Sequence, residues 1–376
     1  MKSPGKWPLD PDALAARFEG SGPVLVGVEE EIMVLHPETL DLLPSGKQLL
    51  EGLDDRFKPE LPASQVEIAT RPHADFGRLA EELVECRRLL SSHLAGRARP
   101  AAAGVHPFAS RLGALNSGDR YGRLLAEFGD VLKQQLVCGL HVHVSLGGAD
   151  RVLGVYNALR AYLPELAALA ANAPIQCGVD TTLASVRPLI CGLLPRQGIP
   201  PVLPSWERYA AHLTAGLPGR EPGKPAEWWW ELRPHGGLGT LEIRVPDAQT
   251  HAGDALAVAA VATGVALWLA DRFDAGDLPM PAETWMIAEN RWSALRHGLD
   301  GTLLDLGSGA RLPSRQRVVE LIETVAPVVD KIGGGDFAER ASRLARRNGA
   351  HQQRELFAGA GPIALAAWLA DSFLPG

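Results

Sequence analysis

Several common signatures are missing from this 376-residue chain. There is no GxxxxGK[ST] phosphate loop and no GxSxG turn, so neither a P-loop nucleotide site nor a nucleophile-elbow hydrolase is signalled. The four cysteines, Cys86, Cys138, Cys177 and Cys191, form no CxxC pair and no regular spacing. That removes a zinc knuckle and a disulfide framework and points to a reducing cytoplasm. No cluster of Lys or Arg stands out in a chain of net charge −7 and pI near 5.9, so no nucleic-acid partner is expected. The longest uncharged run, residues 255–270, is shorter than the roughly 20 residues a bilayer span needs and predicts a buried helix rather than a membrane anchor. The N-terminal MKSPGKWPLDPDAL lacks the apolar core of a secretory leader. With 46% hydrophobic and 22% charged residues, an ordinary globular chain is expected.

Strand and helix periodicities alternate without a regular βαβ order. Strands are predicted over 24–36, with a hairpin return through PETLDLLP, and over 65–70, 137–146, 228–233 and 240–245; helices are predicted over 74–94 and 152–173. Residues 175–225 read as Pro- and Gly-rich loops with one short helix near 206–213, and beyond His251 every segment reads as helix. The pattern predicts an α+β fold, a curved antiparallel sheet with helices on one face, in one domain over 1–376. KIGGGDF at Lys331 is expected to be a loop between helices.

What the chain does have is acids inside strands. In Gly27-Val28-Glu29-Glu30-Glu31 the period-2 rule puts Glu29 and Glu31 on one face and Glu30 on the other. Glu67 sits inside QVEIAT, with Glu60 a short loop upstream, and Glu242 inside TLEIRV. An unpaired charge in apolar surroundings costs several kcal/mol. Three such strands point to shared hard cations, for which oxygen ligands suit Mg²⁺ or Mn²⁺. His141 and His143 in CGLHVHVSL share a face; zinc is the first thought for an HxH pair, but no third ligand stands at a fixed offset, so a magnesium- and phosphate-contacting role or a structural one fits better. Arg71, Arg187, Arg233 and Arg244 adjoin these strands or the irregular region, as bidentate phosphate and carboxylate recognition requires. For Arg71 a surface salt bridge is the simpler reading. The run Trp228 to Trp230 reads as ring packing on both strand faces, with a substrate contact as the alternative.

Taken together, GVEEE, PELPASQVEIAT, AAGVHPFA, CGLHVHV, DTTLASVRP, PRQGIPP, WWWELRPHGGLGTLEIRVPDAQ and NRW resemble, in content and order, the carboxylate–amine ligases of the second glutamate–cysteine ligase family. The resemblance runs from about residue 24 to 300 and leaves the helical portion, 301–376, without a motif. It implies a glutamine-synthetase-like fold whose sheet face forms a funnel for ATP, Mg²⁺ and substrates. It implies metal ligation by Glu29, Glu31, Glu60, Glu67, His143 and Glu242, catalytic roles for Arg244, Glu67 and His143, and nucleotide contacts by Arg244, His141 and Arg233. Arg187 and Arg233 become candidates for the substrate carboxylate. The implied reaction joins a carboxylate, by default glutamate, to an amine, by default cysteine, through an acyl phosphate with release of ADP and phosphate. A metal-dependent hydrolase using the HxH pair and a non-catalytic binding member of the fold are the alternatives, and a homodimer is left open. The family loop usually carries Gly and Tyr where this chain has Thr182 and Leu183, and Tyr where it has Val186, which predicts an altered substrate pocket.

Overall fold

The computed structural model describes residues 9–20, 22–215 and 228–374; the predicted loop residues 216–225 and most of the N-terminal stretch therefore lie outside the described residues. Seven strands form the main sheet: β1 Val26–Leu35, β2 Phe57–Pro59, β3 Gln65–Ala69, β4 Arg99–Ala101, β5 Leu140–Val144, β6 Leu232–His235 and β7 Thr240–Ile243. Their order is β6-β7-β5-β1-β3-β2, with β4 also on β1, and every pairing is antiparallel. The sheet is open, and the expected α+β class holds.

The strand alternation decides which face is packed. Val28, Glu30, Ile32, Val66, Ile68, Leu140, Val142, Leu241 and Ile243 are all buried to about 1% exposure or less. Against that face lie helices α1 (Phe76–Leu94) and α2 (Ala252–Asp274). Helix α1 begins where Asp75 accepts from Arg78 N at 2.9 Å, and it buries Leu79, Leu83 and Leu90 at four- and seven-residue spacing, one and two turns apart. Helix α2 is long and apolar enough to cross a membrane by length and composition, yet 89% of its apolar window is buried inside the protein. The uncharged run had been expected to fall short of that length; burial, not length, identifies it as the central core helix.

Several elements depart from expectation. PETLDLLP makes no second strand: the His36 ring accepts from the N–H groups of Glu38 and Thr39, Leu40 turns at φ 60°, and the return is a single Leu35–Leu42 bridge before the short helix Gly46–Leu49. The helix expected over 152–173 is broken into Ala149–Leu159, the 3₁₀ turn Arg160–Tyr162 and Leu163–Ala170, because Pro164 favours a fresh first turn and buried Arg160 caps the carbonyls of Pro200 and Ala282. The tryptophan strand divides. Trp229–Trp230 pairs in parallel with Gln197–Gly198 outside the main sheet, and only from Leu232 does the chain join it. Trp228 and Trp230 are buried while Trp229 is half-buried, so the rings do pack to both sides. The C-terminal third is not wholly helical, since Thr302–Leu304 and Arg311–Pro313 form a ribbon. A helix does begin at Pro362, as expected, but an unexpected one from Gly349 runs up to it and is broken from it at Gly361, whose φ is 79°. Lys331 does end a helix, and the next starts at Gly335.

Candidate active site

The front face of the sheet, opposite the helices, carries the charged residues. Glu29 pairs with His141 across β1 and β5, Glu31 with Glu67 across β1 and β3, and Glu242 with His143 on one side and Arg233 on the other. Five strands thus bring acids, histidines and an arginine into adjacent rows, as period-2 projection requires. A cavity of about 360 Å³ opens over them, lined among others by Glu29, Glu31, Glu60, Glu67, His141 and Arg244. His143 and Glu242 lie beneath, 5% and 1% exposed.

Among the described residues, two groups place ligand-type atoms within 4.8 Å of one another: Glu29, His143 and Glu242 in one, and Glu29, Glu67 and His141 in the other. His143 Nε2 stands 3.5 Å from Glu29 Oε2 and 3.9 Å from Glu242 Oε1, and His141 Nε2 3.9 Å from Glu31 Oε1. Both Nε2 atoms are buried without a hydrogen-bond partner among the described residues. His143 Nδ1 is 2.9 Å from Thr240 Oγ1 and His141 Nδ1 3.3 Å from Glu29 Oε2, so each ring is oriented by its other nitrogen. Glu31 accepts from the backbone N–H of Gly139, and Glu60 from that of Leu61 at 3.1 Å.

The electrostatics divide the acids. Burial, with the charges of Glu29 and Glu60, pushes the Glu67 carboxyl well above its usual range, and burial with Glu31 pushes Glu60 up. Burial would also raise Glu29 and Glu242, but His141 and His143 hold Glu29 well below the usual range, and Arg233 and Arg244 do the same for Glu242. Burial and Arg244 lower His141, whereas Glu29 and Glu242 outweigh burial and raise His143. Crowded carboxylates that favour protons, beside two unpartnered imidazole nitrogens, form a donor set that a divalent cation fits.

The arginines separate by what already occupies them. Arg233 donates Nε to Glu242 Oε2, Nη2 to Glu242 Oε1 at 3.2 Å and Nη1 to Trp228 O at 2.8 Å. Arg244 donates to Glu242 Oε1 and lies 3.4 Å from His141 Nδ1, with 15% of its side chain exposed at the cavity. Arg187 reaches the carbonyls of Val245 and Arg244 at 3.3 Å, and its buried Nε has no hydrogen-bond partner among the described residues. Arg71 binds Glu82 on the outside at 3.2 Å, the surface salt bridge expected of it.

Other participants lie in or near the motifs without having been singled out from the sequence. Glu231 lines the cavity and is gripped by Arg291 through three contacts of 2.8–3.0 Å, which gives the NRW motif a concrete job. Lys58 lies 3.5 Å from Glu67. Thr182, Leu183 and Val186 do not line the cavity. Leu183 and Val186 pack with Val105, Ala173 and Ile190, and Thr182 sits at φ 62°, in a region where glycine is easier to accommodate. The expected change to the pocket wall is therefore a change behind Arg187.

The family model described as glutamate-cysteine ligase family 2 matches residues 25–365. The chain belongs to this family. It is 34% identical over 359 residues, 93% of this chain and 97% of the other, to a Rubrobacter xylanophilus protein that carries the provisional name glutamate–cysteine ligase 2-3. Among solved structures, a glutamate–cysteine ligase from Francisella tularensis in complex with AMP superposes with a TM-score of 0.64 at 14% identity, covering 95% of this chain and 90% of that one. A bifunctional glutathione synthetase from Pasteurella multocida gives 0.63 at 15% identity, over 96% of this chain and 53% of its own. These likenesses establish the shared fold, and the family match places the chain among carboxylate–amine ligases acting on small molecules.

Proposed function

We propose that this family member is an ATP-dependent ligase that phosphorylates a substrate carboxylate, by default that of glutamate, and passes the acyl group to an amine, by default that of cysteine, releasing ADP and phosphate. The observation that carries the reading is the convergence over one sheet face of Glu29, Glu31, Glu60 and Glu67, two histidines with idle Nε2 atoms and the partly exposed guanidinium of Arg244. Such a set is built to neutralise phosphates rather than to supply a nucleophile. Mg²⁺, or Mn²⁺, would be held by Glu29, Glu67 and His141 on one side and Glu29, His143 and Glu242 on the other, with Glu31 and Glu60 beside them, and would offset charge on the ATP phosphates.

The chain's own groups do the rest. Arg244 faces the transferring phosphoryl group, where its charge offsets what accumulates on the equatorial oxygens. Arg233, occupied by Glu242, holds that acid ionised and in place, which is a narrower role than binding the nucleotide or the substrate. Arg187, with a free Nε, receives the substrate carboxylate. The carboxylate oxygen attacks the γ-phosphorus as the bond to ADP breaks; the amine nitrogen then displaces phosphate from the acyl carbon and loses its proton.

The test mixes the protein with ATP, Mg²⁺ and a panel of carboxylates and amines, beginning with glutamate and cysteine, and follows the nucleotide and phosphate products. ADP and phosphate that appear only when both substrates are present, or with the acid alone at a slower rate, are expected. AMP and pyrophosphate would sink the acyl-phosphate route, and turnover with zinc and no nucleotide would favour a hydrolase.

A further inference from the structure

Gly139 is the second residue of the CGLHVHV motif, just before β5, and its backbone is not among the left-handed positions of the described residues. Conformation therefore does not require a glycine there. Space does: a Cβ at this position would overlap Arg187 Nη2, stand 3.0 Å from Arg187 Cζ and lie 3.1 Å from His141 Nε2. Gly104, in the AAGVHPFA motif, shows the same crowding one step further back, where a Cβ would fall 2.8 Å from Ala173 Cβ and 2.9 Å from Asp247 Cγ. The two glycines are stitched to one another and to the Asp247 segment. Cys138 N donates to Gly104 O at 2.9 Å, Ala248 N to Cys138 O at 3.0 Å, and Gly139 bridges Asp247.

The space left by these hydrogens is filled by a charged pair. Asp247 is fixed by Asn172 N at 2.8 Å and Ser185 Oγ at 3.0 Å, and its Oδ1 lies 3.8 Å from Arg187 Nη1. Arg187 is 7% exposed, touches the carbonyls of Arg244 and Val245 through its Nη atoms, and keeps a buried Nε without a partner. A buried donor of this kind is costly unless something accepts from it. The guanidinium also sits next to the acid row, because Gly139, whose N–H binds Glu31, is the residue against which it lies.

We propose that Gly139 is a positioning residue: by having no side chain it provides the seat for the Arg187 guanidinium beside His141, and Arg187 there donates through Nε to an oxygen of the carboxylate that becomes phosphorylated. The substrate half of this statement rests on the ligase reading; the seat does not. It follows that Arg187 belongs to the reacting end of the cavity rather than to a distant anchoring pocket.

Two double-mutant cycles on Gly139→Ala and Arg187→Ala test the two halves. In urea unfolding, Gly139→Ala should destabilise the wild type clearly and the Arg187→Ala background much less, since the clashing partner is gone. Equal destabilisation in both backgrounds overturns the seat. In steady-state assays with L-glutamate, cysteine and Mg-ATP, Gly139→Ala should raise KM for L-glutamate about tenfold or more while KM for ATP moves less than about twofold, with no further rise in the double variant. Wild-type KM for glutamate in Gly139→Ala, or effects that multiply in the double variant, overturns the role in substrate binding. A wild type that releases no ADP with any acid and amine, while the stability cycle still shows coupling, defeats the ligase reading and leaves the seat standing.

Discussion

Glu29, Glu30 and Glu31 are neighbours in sequence and belong to two different kinds of environment. On the packed rear face, Glu30 has no exposure and receives Arg87 Nε at 2.9 Å and Nη2 at 2.6 Å. Arg87 gives its remaining hydrogens to the carbonyls of Thr250, Gln249 and Phe373 at 2.8–3.0 Å, so all five donors are used, and the Phe373 ring lies 4.7 Å away. On the front face Glu29 and Glu31 share a cavity with Glu60 and Glu67, and the imidazoles between them keep idle nitrogens. The histidines repeat the contrast. His106 has Nε2 on Leu40 O at 2.8 Å and Nδ1 accepting from Phe108 N and Ala109 N, so the neutral ring is fully satisfied, unlike His141 and His143. A satisfied buried charge or ring is finished structure. An unsatisfied cluster of the same residue types marks a place where a ligand completes the set.

The contrast breaks most severely at Glu242, which serves both the arginines and the histidine of the front face. Glu242→Gln keeps the shape but removes the charge that Arg233 and Arg244 share, and ADP release should fall about a thousandfold or below detection. Melting followed by circular dichroism separates this loss from unfolding, since Arg233 is left without its counter-charge. Turnover at the wild-type rate would remove Glu242 from the chemistry.

On the rear face the loss should be in stability. Arg87→Met leaves Glu30 charged and enclosed, which costs about 3–5 kcal/mol, whereas the paired change Glu30→Met with Arg87→Met should recover much of that. Urea unfolding of the three variants decides it: a double variant as unstable as the single would mean that the carbonyl contacts of Arg87, including the one that fastens the C-terminal Phe373, matter more than the pair.

Much of the front face was legible because one local rule governs it. The period of two in GVEEE and HVHV put Glu29 with Glu31 and His141 with His143, and the register then aligned them with Glu67 and Glu242. Nothing local announces Arg87, which lies 57 residues from Glu30 inside a helical run of charges, or the pairing of Arg291, marked only by its motif, with Glu231, 60 residues away. The hairpin after β1 and the single strand over the tryptophans failed for the opposite reason. Their turn and strand residues were read correctly as types, but the His36 ring and the Gln197–Gly198 segment offered better partners than the expected neighbours did.

The satisfied histidine gives a pH test of the same contrast. Burial pushes His106 down to about 4 from the ordinary 6.5. The unfolded chain then binds more protons than the folded one between those values. Stability present above about pH 6.5 is lost as pH falls towards 4, by up to about 3 kcal/mol. Urea unfolding at pH 7, 5.5 and 4.5 should show that slope, and His106→Gln should flatten it. An unchanged slope would assign the acid sensitivity to other groups.

The smallest effect should run in the direction opposite to an ordinary core mutation. Glu67 is held among Glu29 and Glu60 with Lys58, half-exposed and 3.5 Å away, as its counter-charge among the described residues. Removing its charge relieves repulsion that the ligand-free protein must bear, so Glu67→Gln should stabilise that state by about 1 kcal/mol at neutral pH, the usual return from relaxing a functional site. The same change should weaken the rise in melting temperature produced by Mg²⁺, because a ligand that binds only the folded state stabilises it in proportion to its occupancy. On the rear face, where Glu30 is already neutralised, the matching Glu30→Gln should destabilise and leave the Mg²⁺ response intact. Opposite signs at two carboxylates of one sheet, measured in the same melting experiment, would show that the two faces differ in what they are built for rather than in how tightly they are packed.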